Sequence, residues 1–98
     1  MAIRSYKDSI SRLIACGEIE QATIRRLPAR LHQVAVSRIL LLNAVRNLYD
    51  LRDMRSLRLE LLRGDLTGQF SIRINRRYRI CFRWDKGDAY DVEIIDYH

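Results

Sequence analysis

Lysine is nearly missing from this chain: of 18 basic residues only Lys7 and Lys86 are lysines, and all the others are arginines. Proline occurs once in 98 residues, and no repeat, low-complexity run or linker marks a boundary, so the chain reads as one domain, residues 1–98. Cysteine occurs twice, and Cys16 and Cys81 have no Cys-x-x-Cys or His/Cys spacing around them. That pattern predicts two buried thiols in a reducing cytoplasm, with no metal site and no cofactor. Long apolar runs are absent too. The longest, "ILLLNAV", is far short of the ~20 residues of a membrane span, and "MAIRSYKDSI" has no apolar signal region. The expectation is a cytoplasmic protein with no membrane attachment.

What is present is positive charge, unevenly placed. The formal net charge is +6, and residues 58–86 hold eight basic against three acidic groups. Residues 87–98 reverse this, with four acids and no Lys or Arg. Arginine's planar fork grips phosphate oxygens in pairs where lysine offers a point charge, so an arginine-rich domain points to a polyanion. Nucleic acid is the usual one.

Two periodicities divide the chain. A first helix is expected from Asp8 or Ser9, either of which can cap it, to Gly17. Beyond Pro28, residues Leu31, Val34, Ala35, Ile39, Leu42, Val45 and Tyr49 recur at helical spacing, predicting a second helix over residues 28–48. His32 falls off that stripe and reads as a solvated residue. From residue 69 the period becomes two. Phe70, Ile72 and Ile74, then Tyr78, Ile80, Phe82 and Trp84, alternate with polar residues as in half-buried antiparallel strands. "DKGD" and "NRR" are turns, "RLELL" a first strand, "AYDVEII" a last one and "AIRSY" an edge strand. The fold class is α+β, with two N-terminal helices packed on one face of a small, mostly antiparallel sheet. The opposite face is then open and carries Arg73, Arg79 and Arg83 as candidate RNA-binding cations.

The chain closes on Asp96, Tyr97 and His98, an acid, a phenol and an imidazole, all groups that move protons. Cutting RNA by transesterification needs a base for the 2′-hydroxyl, a cation for the phosphorane and an acid for the leaving 5′-oxygen. The terminal triplet and the arginines supply those types. If the last strand stays regular, Asp96 and His98 share the face of Val92 and Ile94, and Tyr97 alone points to the arginines.

The string "RLELLRGDLTGQFSIRINRRYRICFRWDKGDAYDVEIIDYH" resembles the HigB branch (plasmid maintenance killer proteins) of the RelE/ParE toxin superfamily. The resemblance rests on "RGD", "GQFSIRIN", "YRICF", "GDAY" and the ending "DYH", and extends more loosely to "IRSYK" and the helix after "RRLP". It implies a RelE-like microbial ribonuclease fold. It also implies a type II toxin that cuts mRNA in the ribosomal A site without a metal and is restrained by a HigA-like helix-turn-helix antitoxin. By position the family's catalytic residues fall on Arg63, Arg79, Asp96, Tyr97 and His98. Departures are Arg63 for a lysine, Glu60 where some members have histidine, Tyr78 for tryptophan, and "DMRSL" for a Pro-Pro-Gly-Asn loop. Two other readings are a ParE-like non-nuclease that inhibits DNA gyrase and a plain RNA-binding module. The terminal acid–base set argues against the first, and the core parity of Phe70, Phe82 and Trp84 against the second.

Overall fold

A computed structural model describes residues 2–62 and 68–97, so Arg63 and His98 lie outside the described residues. Helix α1, Ser9–Ala15, starts where the Asp8 carboxylate accepts from the Ser11 backbone N–H at 2.7 Å. A further helix, α2, Gln21–Arg26, lies between the two that the sequence pattern predicts. The Thr23 hydroxyl ties its first turn by accepting from the Glu20 N–H and donating to the Glu20 carbonyl.

The single long helix expected over 28–48 is instead three pieces. A 3₁₀ turn covers Ala29–Leu31, helix α3 runs His32–Ala44, and helix α4 runs Leu48–Asp53. Val45 is extended, and the Asn47 side chain caps α4 by accepting from the Asp50 N–H at 3.2 Å. The break puts Tyr49 outside the core, 65% exposed, although Ala35, Ile39, Leu42 and Val45 of the same stripe are buried. The 3₁₀ turn also redirects His32. It is buried, not solvated, and its Nε2 donates to the Leu27 carbonyl at 2.7 Å.

A second 3₁₀ turn, Arg55–Leu57, leads into the sheet. Its strands are β1 (Glu60–Leu61), β2 (Gln69–Arg73), β3 (Tyr78–Asp85) and β4 (Asp88–Asp96), antiparallel in the order β1-β2-β3-β4. Lys86 and Gly87, both at positive φ, make the tight turn that a two-residue hairpin requires. Asn75 makes the other turn, its Oδ1 accepting from the N–H groups of Arg77 and Tyr78. Residues 2–7 lie along β4 through isolated parallel bridges, Ile3 with Ala89 and Tyr6 with Val92.

The Phe/Ile face of the sheet is the core side, as the alternation predicts. Ile72, Ile80, Phe82, Val92 and Ile94 join Ile14, Leu27, Ala35, Leu42 and Leu51 from the helical half in one apolar cluster. The second face differs from its expected openness. Ser71, Arg79 and Cys81 on it are buried, because residues 55–58 fold back over this part of the sheet and bond to Arg79. Cys16, expected to be buried, is exposed. Among the described residues the architecture is α+β with four α-helices rather than two, and no helix there is long and apolar enough to cross a membrane.

Candidate functional site

The register of β2 and β3 sets Arg73 directly opposite Arg79. Like charges in that position repel, so the pair costs stability unless something anionic joins it. Arg79 is only 7% exposed, and its guanidinium is held from several sides. Nε donates to the Ser71 hydroxyl at 2.7 Å, and Nη2 donates to the Arg58 carbonyl and to the Ser71 carbonyl. Arg58 adopts a left-handed conformation, φ 47°, which a non-glycine residue holds only when its surroundings compel it. The carbonyl that this bend presents is the one Arg79 uses. Arg79's remaining nitrogen, Nη1, lies 3.9 Å from the Glu60 carboxylate and makes no hydrogen bond among the described residues.

The result is a cation held by three hydrogen bonds on two of its nitrogens, with the third, Nη1, turned toward Glu60. It opens into a cavity of about 410 Å³ lined by Arg58, Glu60, Arg73, Asn75, Arg76, Arg79 and Tyr97. Four arginines against one carboxylate leave the lining at a formal +3. The Arg79 guanidinium lies 5.7 Å from the centre of the Tyr97 ring, so the phenol stands on the cation.

The site residues expected from sequence separate into those this cavity gathers and those it does not. Arg73, Arg79 and Tyr97 line it. Tyr97 reaches the arginine face, the side that the alternation of β4 after Val92 gives it, although the strand is not regular throughout and shifts register opposite Cys81 and Arg83. Asp96 points the other way. Its carboxylate takes Nε and Nη2 of Arg77 at 2.7–2.9 Å, beside a separate cavity bordered by Arg25 and Arg26. Arg77 also accepts the Tyr97 N–H on its carbonyl at 2.6 Å, so the ion pair and this bond together pin the strand just before Tyr97. Arg83 stands apart from the cavity, stacked 4.7 Å from the Tyr90 ring and 3.6 Å from the Asp91 carboxylate. Arg63 and His98 fall outside the described residues.

Three further residues line the cavity that are not among the expected site residues. Glu60, in sequence only a departure from the family's histidine, is the carboxylate facing Arg79. Arg58 and Arg76 carried no pattern of their own; one depends on a backbone bend and the other on the turn after β2. Beneath the site, burial first and then the Glu93 carboxylate push the Cys81 thiol up to about 11, against the pull of Arg79 and Lys7.

A family model for the RelE-like toxin of the type II toxin–antitoxin system HigB matches residues 18–98. The chain belongs to the HigB-like toxin family. It is 35% identical over 65 residues to Toxin HigB-1 of Vibrio cholerae serotype O1, an alignment covering 66% of this chain and 68% of that protein. The α+β architecture is that of a RelE-like toxin. As the toxin of a type II pair, this HigB-like protein has an antitoxin for a partner.

Proposed function

We propose that this HigB-like toxin is an mRNA interferase, an endoribonuclease that cuts ribosome-bound mRNA in the A site and so arrests translation. The observation that carries the proposal is Arg79, locked by Ser71 and Arg58 with one edge open to a cationic cavity under Tyr97. A donor fixed before the substrate arrives stabilises developing charge without reorganising. In the proposed step a base removes the 2′-hydroxyl proton, and the 2′-oxygen attacks the adjacent phosphorus. The Arg79 Nη1 edge, with Arg73 and Arg76, holds the phosphorane charge. The bond to the 5′-oxygen then breaks as an acid protonates it, leaving a 2′,3′-cyclic phosphate and a 5′-hydroxyl. No component of that step requires a metal ion.

Arginine does not deprotonate in proteins, so the base comes from elsewhere. Among the described residues that line the cavity, Glu60 carries the carboxylate and takes that role. Tyr97 and His98 supply the acid side, and Arg63 adds charge where the family has lysine. Asp96 acts with Arg77 to hold Tyr97 in place. The other partners in this reading are a HigA-like helix-turn-helix antitoxin and the cytoplasmic ribosome.

The test is cleavage of a defined mRNA by purified toxin with and without translating 70S ribosomes. The wild type is compared with Glu60→Gln and with a form lacking His98. Ribosome-dependent cuts, slowed on the order of a hundredfold or more by Glu60→Gln and lost without His98, are the expected result. Intact growth arrest through gyrase with no cleavage in any condition overturns it.

A further inference from the structure

The cavity above Arg79 is one end of a longer trough. Arg58 and Glu60 also line a second cavity of about 360 Å³, whose other walls are Arg52, Arg55 and Leu59. Arg52 and Leu59 in turn line a third, of about 420 Å³, which reaches Tyr49, Phe70 and Trp84. Shared lining residues make the three neighbours, a series that leads from the Arg79–Tyr97 pair past Arg55 and Arg58 to helix α4 and, at its far end, to Phe70 and Trp84 of the sheet's other face. Along the way the chemistry changes in order. The first part is cationic, the middle presents the exposed Arg52, Arg55 and Arg58, and the far end is aromatic.

At that far end the Tyr49 ring is 65% exposed, and the Arg52 guanidinium covers one of its faces at 4.7 Å. Phe70 and Trp84, expected in the core, are only partly buried and form the groove wall beside it. Arg52 keeps just a loose pairing with Asp53, Nε to carboxylate 3.6 Å, with both side chains mostly in water. Exposed aromatic and guanidinium planes next to a row of cations are what a single strand of nucleic acid uses, bases stacked and backbone neutralised.

We infer that this trough is the track for the single-stranded RNA flanking the cut, with Tyr49 and Arg52 stacking a base several nucleotides from the phosphate held at Arg79. The inference rests on the RNA-cleavage reading, and charge complementarity and adjacency to the Arg79 cavity are what select RNA as occupant. It assigns a substrate-binding role to α4 and to the 3₁₀ turn Arg55–Leu57 that follows it.

The experiment measures binding of fluorescent, non-cleavable 2′-deoxy-substituted RNA oligonucleotides, from dinucleotide to octanucleotide, by anisotropy at fixed low salt. Wild type is compared with Tyr49→Ala and with the double variant Arg52→Ala/Arg55→Glu, all checked by thermal melting. The expected result is that length tightens binding to wild type and that each variant loses on the order of tenfold on the octanucleotide, with the dinucleotide unaffected. Equal binding of both lengths by wild type, with cleavage on ribosomes intact, overturns the track alone. Binding of neither length, with no cleavage on ribosomes, overturns the RNA reading and the track with it. Variants that keep octanucleotide affinity but lose the antitoxin make the trough a protein interface and overturn the proposal.

Discussion

Replacing Arg79 by lysine keeps the charge and removes the fork, which separates two things the guanidinium does. In the folded protein Nε and Nη2 together reach the Ser71 hydroxyl, the Ser71 carbonyl and the Arg58 carbonyl, while Nη1 faces the cavity. A lysine ammonium is a single point at the end of its stem and cannot serve all these directions at once. At least two charge-assisted hydrogen bonds are lost. Each is worth about 1.5–3 kcal/mol, and partial repair by the ammonium leaves an expected loss of about 2–4 kcal/mol in stability. Cleavage loses a positioned donor to the phosphorane, a factor of about 10²–10³ in rate. Urea unfolding followed by circular dichroism gives the first quantity, and cleavage on programmed ribosomes, under conditions where the variant is fully folded, gives the second. A variant within about 0.5 kcal/mol of wild type that cleaves within tenfold of it would refute the reasoning, because charge alone would then suffice.

Two further outcomes concern stability and reactivity. Burial raises the Asp8 carboxyl, but its bonds to the Ser11 N–H, to Arg26 and to the Ser11 hydroxyl outweigh that and leave it below its ordinary value. A depressed carboxyl stabilises the fold above pH ~3.9 and loses that contribution as pH falls through the lower folded value. Asp8→Ala is therefore expected to cost about 1–2 kcal/mol at pH 7 and almost nothing at pH 2, measured as urea midpoints at both; equal losses at both would refute the assignment. The buried Cys81 thiol, pushed up to about 11, is expected to resist iodoacetamide at pH 8 while exposed Cys16 reacts. Folding stability also declines above pH ~8.5, where only the unfolded thiol ionises. Modification of both thiols at one rate in mass spectrometry would count against that burial.

The strands were legible because period-two alternation survives in any half-buried sheet. "DKGD" needed positive φ at Lys86 and Gly87, and glycine announces that. The helical half was harder. Val45 belongs to the apolar stripe of α3, so the stripe runs on through a point where the backbone turns extended; the signal for the break was Asn47, a capping residue three positions before Asp50. The burial of His32 depends on a 3₁₀ turn that no periodicity shows. At the site, parity alone put Tyr97 on the arginine face. The burial of Arg79 and the arrival of Glu60 and Arg58 depend on how residues 55–58 fold over the sheet, a tertiary event without a local code.

The pairing of residues 2–7 with β4 has a consequence in time. Arg4 N bonds to Ala89 O at 2.8 Å and Lys7 N to Val92 O at 3.0 Å, joining segments more than eighty positions apart. A ribosome adding about 5–20 residues per second leaves the first segment without its partner for several seconds. The cavity over Arg79 also waits, because Tyr97 lies further along the chain than every other residue that lines it. The fold and the cavity therefore close together, when β4 zips between residues 2–7 and the arginines of β3.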